Sequence, residues 1–395
     1  MKKSGLITIF CLCYFVVNFN ISFIYPMLPS LQHHFSANEH HIALLLGAFP
    51  FIAFFGNLLY GPFIDKYGKK KFILIGATGC VLSYAGSIFS TNIQELITFR
   101  ILSGFFVPMM GATIFPLIME FFNRENRLFV TGIVQGAASF AQLVALPLGI
   151  LSGDKIAWYF PFMLLVVILI ISVTLMLLLL DAEKPVTVQS INLKNYLAKY
   201  TSLLRNRQVL NYLLLYALFG LSVFVVFGMY AYWLSKTGVG DNYQLAILFM
   251  FSGITGLVAS TTISRVNKIF ASTGSLIVLL LSIAMVSVML MPMLAGYIVL
   301  QTVLFSLFSW VRSSINPLIF FDVYQQVDNA ERSTLNGVMN ASFQLATSIG
   351  GMISTGCLFY APSFWLNSAV FCGFLVLCLL LTLKNTQKLA NEVTL

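Results

Sequence analysis

Charge is what this 395-residue chain has least of: 9% of it is Asp, Glu, Lys or Arg, against 59% hydrophobic residues. A soluble protein carries about 25% charged residues, so this chain cannot cover itself with a polar surface. Acids are the scarcer sign, 13 against 22 Lys and Arg. Histidine is confined to His33, His34, His40 and His41. The six cysteines, Cys11, Cys13, Cys80, Cys357, Cys372 and Cys378, all lie in apolar runs and form no CxxC. They read as structural thiols. No Ser/His/Asp set or metal-ligand cluster can be assembled inside the apolar runs, which argues against a membrane enzyme. No cofactor motif is found.

Long apolar runs are abundant. Twelve can be counted, at residues 6–26, 41–63, 72–90, 96–121, 128–152, 158–180, 209–233, 243–263, 274–291, 297–321, 335–359 and 363–383. A spanning helix needs ~20 mostly apolar residues, and these runs are too long and continuous for barrel strands. The first is longer than a signal-peptide core and lacks a small-residue cleavage site, so it is expected to be retained. The expected fold is an all-α membrane protein of twelve transmembrane helices.

The basic residues are unevenly placed. Only Lys155 and Lys236 fall in odd-numbered gaps, and Arg100 and Arg312 lie within runs. All the others are in the N-terminus, the even gaps or the C-terminal tail. Loops rich in Lys and Arg stay in the cytoplasm, which predicts cytoplasmic termini and a multi-pass protein of the cytoplasmic membrane. Topology thus accounts for the net charge of +9, and nucleic acid is not an expected partner.

The chain also looks doubled. Its longest polar gap, residues 181–208, follows the sixth run. FPLIMEFF (115–122) resembles NPLIFFDV (316–323), Arg127 pairs with Arg332 and Gly132 with Gly337, and IDKYGKKKF (64–72) matches ISRVNKIF (263–270). All three offsets are near 200 residues. The expectation is two pseudo-symmetric six-helix bundles, residues 1–181 and 209–395, joined by a cytoplasmic linker, 182–208. In that linker Ile191, Leu193, Tyr196, Leu197 and Leu203 could form the apolar side of a surface helix.

GPFIDKYGKKK (61–71) superficially suggests a phosphate loop, but GxxxxGK followed by Ser or Thr is not met, and a hydrophobic helix precedes it. In the gap between runs 2 and 3 of a six-plus-six protein, it closely resembles the signature loop of the major facilitator superfamily, whose members are twelve-helix secondary transporters. The matching residues are Gly61, Asp65, Lys66, Gly68, Lys69 and Lys70. Glycine at 61 permits close helix approach, and Gly68 permits a tight turn. The resemblance implies that Asp65 latches the cytoplasmic side, against the start of run 11 near Arg332 and Ser333 and against Arg124 or Arg127. For Lys70 and Lys71 a purely topological role stands equally open.

Within that superfamily the chain resembles the twelve-span drug:proton antiporters. YPMLP (25–29), with Pro26 and Pro29, matches the end of their first span. RILSGFFVPMMG (100–111) resembles the fourth-span motif of proton-linked facilitators, a resemblance that implies a part for Arg100 in proton coupling. The fifth run departs from the pattern. Leu146 precedes Pro147, the expected bend, and only Gly149 and Gly153 follow. Arg100 has a second reading, a structural arginine snorkelling to the outer surface.

Polar residues within spans usually face the bundle. Candidates for substrate or proton coupling are Asn18, Ser22, Arg100, Glu120, Gln135, Gln142, Arg312, Asp322, Asn336, Asn340 and Gln344. Asn20 projects away from the Asn18/Ser22 face. Ser139 and Thr347 extend the stripes of runs 5 and 11. Glu120 and Asp322 are the acids nearest the membrane middle, either proton carriers or helix-end charges. Tyr230, Tyr232 and Trp233 read as an interfacial aromatic belt. The histidines read as a hydrophilic external loop in preference to a metal site, so no metal is expected. The expected function is export of small organic molecules by proton antiport with alternating access, by a monomer. The alternative is an importer of a sugar or other metabolite on the same fold.

Overall fold

The computed structural model describes residues 3–154, 156–179, 193–270, 272–327 and 332–393. The described residues form fourteen helices and no strand. The chain divides into two compact units, Met1–Tyr196 and Leu197–Leu395.

The first unit opens with α1 (Lys3–Ser22) and α2 (Ile24–Phe35), which are two parts of one span. Pro26 has no N–H to offer the Ser22 carbonyl four residues back, and α1 stops at Ser22. The chain continues through Phe23, still near helical geometry (φ −70°, ψ −24°), into α2. Helices α3 (Glu39–Tyr67), α4 (Lys69–Ile88), α5 (Ile93–Phe121), α6 (Arg124–Asp154) and α7 (Phe160–Leu179) complete the unit. Asn38 and Asn92 cap α3 and α5, each side-chain oxygen accepting from a backbone N–H at 2.9 Å.

Helix α5 lies at the centre, packed on α3 and α4, while α1 packs on α6 and α7. At Gly104 the backbones of α5 and α3 nearly touch, since a Cβ there would lie 2.6 Å from the Phe49 carbonyl oxygen. Small residues at such crossings permit close packing where lipid supplies no hydrophobic drive. The outer helix α7 is apolar almost all round, with Ile170, Leu177 and Leu178 exposed, as a lipid-facing surface requires.

Helix α8 (Leu193–Arg205) lies across the division between the units. Tyr200 and Leu203 are buried, so at these positions the apolar side is covered by protein. Ile191 is outside the described residues, as are the side chains of Leu193, Tyr196 and Leu197.

The second unit contains α9 (Arg207–Lys236), α10 (Asn242–Asn267), α11 (Thr273–Met293), α12 (Ile298–Gln325), α13 (Arg332–Tyr360) and α14 (Trp365–Val393). Its interior is stitched by short polar side chains. Ser309 donates to the Ser252 carbonyl at 2.8 Å, joining α12 to α10. Asn367 and Ser354 both donate to the Val225 carbonyl, at 3.1 and 2.7 Å.

Tyr230, Tyr232 and Trp233 do not form an interfacial belt. All are buried inside the second unit. Tyr230 stacks on Phe305 at 4.3 Å and donates its hydroxyl to Gln301 at 2.9 Å. Trp233 stacks on Phe364 at 4.7 Å. Rings at a helix end are satisfied equally by the membrane interface or by partners on neighbouring helices, and sequence position does not separate the two.

Among the described residues, eleven helices are long and apolar enough to cross a membrane. The twelfth long helix, α13, has 29 residues but carries Asn336, Asn340, Gln344, Thr347 and other polar groups. All of the described helices except α2 and α8 have 20 residues or more, and α13 belongs with the long ones.

Candidate functional site

Arg100 sits two turns into α5 and is 1% exposed. It does not snorkel. Its Nη1 donates to Asn20 Oδ1 at 2.6 Å and reaches the Asn20 carbonyl at 3.4 Å. The Phe49 ring centroid lies 4.7 Å from the guanidinium carbon, and that of Phe23 lies 6.0 Å away. Asn20, which projects away from the Asn18/Ser22 face of α1, is the residue that answers this charge. Helical spacing alone does not reveal which face of α1 meets α5.

Asn18 and Ser22 bond within their own helix. Asn18 Nδ2 donates to the Tyr14 carbonyl at 2.8 Å, and Ser22 Oγ donates to the Asn18 carbonyl at 3.1 Å. The Tyr14 hydroxyl lies beside the side-chain amides of Asn18 and Gln135, bringing α1 and α6 residues together. Gln135 is exposed, as are Gly132 and Gly136, while Ser139 and Gln142 are half-buried. This face of α6 is more polar than the lipid-facing surface of α7. Phe15 and Phe140, 6.0 Å apart, and Tyr14 with Phe115, 5.3 Å apart, add rings beside it. Pro147 lies inside the continuous helix α6, and Pro29 inside α2.

At the lysine-rich end Gly68 is both the end of α3 and the start of α4, at φ +90°. That left-handed backbone favours glycine. Gly61 is half-buried near the end of α3. Lys69, the first residue of α4, pairs with Glu120, the penultimate residue of α5, at 2.6 Å. Lys70 is half-buried at the same turn. The side chains of Asp65, Lys66, Arg124, Arg127, Arg332 and Ser333 lie outside the described residues, and so does the expected latch.

The second unit has a matching tie with different chemistry. Asp322 near the end of α12 lies beside Thr273, the first residue of α11. Thr273 Oγ1 also accepts from Asn267 Nδ2 at 3.3 Å. Burial raises the Asp322 carboxyl from 3.8 to about 6, with the Thr273 hydroxyl opposing part of the rise. Asp322 lies just beyond the apolar span Ile298–Phe320. Where the first unit sets a lysine against its acid, the second sets a neutral hydroxyl, and desolvation is left to favour the protonated form.

The Arg312 guanidinium carbon lies 5.3 Å from the Phe227 ring centroid. Along α13, Asn340 is exposed, Asn336 half-buried, and Gln344 and Thr347 buried. The stripe therefore runs from an open surface into the packed α9–α13 contact. The histidines divide between the end of α2 and the start of α3. No group able to hold a metal ion occurs among the described residues.

The model of the Major Facilitator Superfamily matches residues 10–351. The chain belongs to this superfamily. It is 23% identical to the uncharacterized MFS-type transporter YceJ of Bacillus subtilis, over 86% of each chain. It is also 23% identical to a bicyclomycin resistance protein homolog of Haemophilus influenzae, over 65% of each. Among solved structures it superposes on a D-xylose-proton symporter with a TM-score of 0.79, covering 98% of this chain and 97% of that one at 15% identity. This major facilitator chain is therefore a multi-pass membrane transporter of small molecules, not an enzyme, with the twelve-helix fold.

Proposed function

We propose that this chain exports small amphipathic organic molecules in exchange for protons, by alternating access of its two six-helix units. The observation that carries the reading is Asp322. Its carboxyl is half-buried beside Thr273 with a pKa pushed up to about 6, so it can gain and lose a proton near physiological pH. Glu120 is the lesser candidate because Lys69 already neutralises it. Drug-type cargo is supported by the bicyclomycin resistance homolog among the relatives and by the ring-and-amide wall of Tyr14, Asn18 and Gln135. Such walls suit ligands with an apolar body and a few polar groups.

The remaining assignments belong to the same reading. The units correspond to residues 1–181 and 209–395 with 182–208 between them, the termini are cytoplasmic, the membrane is the cytoplasmic one, and the chain works as a monomer. Asp65 latches the cytoplasmic side. Gln142, Arg312, Asn336, Asn340 and Gln344 contribute to the substrate path. A second reading, import of a sugar or similar metabolite, is favoured by the amides of Gln135 and Asn340, both exposed and able to bond hydroxyl groups.

Proteoliposomes under an imposed pH gradient separate the two. Aromatic dyes and drugs should move against the proton flow, and the movement should stop when the gradient is collapsed. Sugar movement with the protons, and no dye movement, would establish the second reading instead. Within the first reading, Tyr14→Ala should raise the half-saturating concentration of a transported dye about tenfold, as loss of a buried aromatic contact implies. An unchanged value would remove Tyr14 from the substrate path.

A further inference from the structure

Arg100 is sealed inside the first unit, yet its hydrogen bonding is only partly met. Nη1 is used by Asn20. Nε is buried without a hydrogen-bond partner, and so is Nδ2 of Asn20, a residue 0% exposed. The guanidinium has no acceptor, so Oδ1 must be the amide atom that faces it, and Nδ2 is fixed as a second donor. The Tyr84 hydroxyl, also fully buried, lies beside the Cys80 thiol and within electrostatic range of the guanidinium, and makes no hydrogen bond of good geometry. No carboxylate pairs with Arg100 among the described residues.

The unmet groups are thus two obligate donors and a hydroxyl able to donate, around one positive charge. A buried unpaired charge is costly, and most costly in a membrane. The Phe49 and Phe23 rings attract the cation but accept none of these protons in the way a lone pair does. A water molecule accepts two bonds but brings two protons that need acceptors of their own. An anion accepts from every donor and cancels the charge.

We propose that Arg100, Asn20 and Tyr84 form a binding site for a small monovalent anion of the halide class, held within the first unit as a resident counter-charge. All three side chains are at most 1% exposed, which excludes anything larger than an atomic ion while the helices stay packed. The carboxylate of a larger solute would reach it only if the helices parted. The inference does not depend on which cargo the protein carries or in which direction.

The test uses the purified full-length protein in detergent, with radiolabelled chloride binding and thermal unfolding as readouts. Gluconate replaces chloride at constant ionic strength. Wild-type protein should bind chloride saturably, and its Tm should rise with chloride and level off, as binding to the native state requires. Bromide should substitute, and sulfate should not. Asn20→Asp sets a carboxylate against the guanidinium and should fold without bound chloride, retaining its Tm in gluconate and losing the chloride response. Tyr84→Phe keeps the packing and should weaken chloride binding about tenfold, the worth of one hydrogen bond to a charged group. No saturable binding by wild type overturns the proposal. So does unchanged binding by Asn20→Asp, and if that variant does not fold, unchanged affinity in Tyr84→Phe overturns it.

Discussion

Asp322→Asn is expected to abolish transport driven by a pH gradient while leaving the protein folded and in the membrane. The asparagine keeps the size and can still bond Thr273, but it cannot release a proton. Positioned proton-transfer groups contribute roughly 10²-fold or more, so gradient-driven flux in proteoliposomes should fall by about that factor. Glu120→Gln is the contrast. It breaks the Lys69 pair, which is partly exposed, with 30% and 46% side-chain accessibility, and such pairs contribute about 0–1 kcal/mol. Its pH profile should match wild type. If Asp322→Asn transports normally and Glu120→Gln does not, the proton belongs to the first unit.

The same shift sets a sign for stability. The Asp322 carboxyl is raised from 3.8 to about 6 on folding, so between those values the folded state holds the proton more tightly than the unfolded chain. Stability from this group is therefore fully present below about 3.8 and is lost as pH rises through about 6. Thermal unfolding of wild type and Asp322→Asn across this range should converge at the acid end and separate above it, with wild type the less stable.

Gly104→Leu is the substitution with the largest expected effect on folding. Even a Cβ would meet the Phe49 carbonyl oxygen at 2.6 Å and the Phe49 Cα at 3.2 Å. Both are backbone atoms and cannot turn away as a side chain would. Overpacking typically costs about 1–3 kcal/mol, and a leucine against backbone should exceed that range. Moving α3 would also shift Phe49 off the guanidinium it covers. The expected result is loss of monodisperse protein from detergent extracts. Gly132→Ala, inside α6 with nothing within 4 Å of its added Cβ, should not lower Tm, since helix propensity favours Ala over Gly by about 1 kcal/mol. Equal behaviour of the two variants would show that the α3–α5 crossing has slack.

Much of the architecture was legible because a membrane imposes length and polarity on every span. The apolar runs, the uneven lysines and the repeated segments all report on that constraint. Helix α13 illustrates its limit. Its amides lower its apolarity below that of the other long helices, yet a helix can be polar where it faces protein or a cavity and still span. What was not legible depends on which helix faces meet. Asn20 is the partner of Arg100 because α1 presents that side to α5, and Tyr230 to Trp233 are core because α9 is surrounded by residues of α10, α12 and α13 and by Phe364 just before α14. Ser22 looks like a cavity residue by position, but it is buried and its hydroxyl bonds back onto α1. The interruption at Phe23 follows from Pro26, since the carbonyl left without a donor, that of Ser22, lies one turn before the proline.

The two acid ties have a consequence for how a duplicated machine acquires a direction. Two identical halves would respond alike to a change in pH and could not be told apart by a proton. Lysine opposite Glu120 and threonine opposite Asp322 remove that equivalence. On acidification through about 6 the Asp322 carboxyl takes up a proton, at the helix junction that corresponds to the Lys69–Glu120 ion pair of the first unit. The side chain at the start of one helix, lysine in one unit and threonine in the other, thus lets two similar junctions respond unequally to one chemical signal.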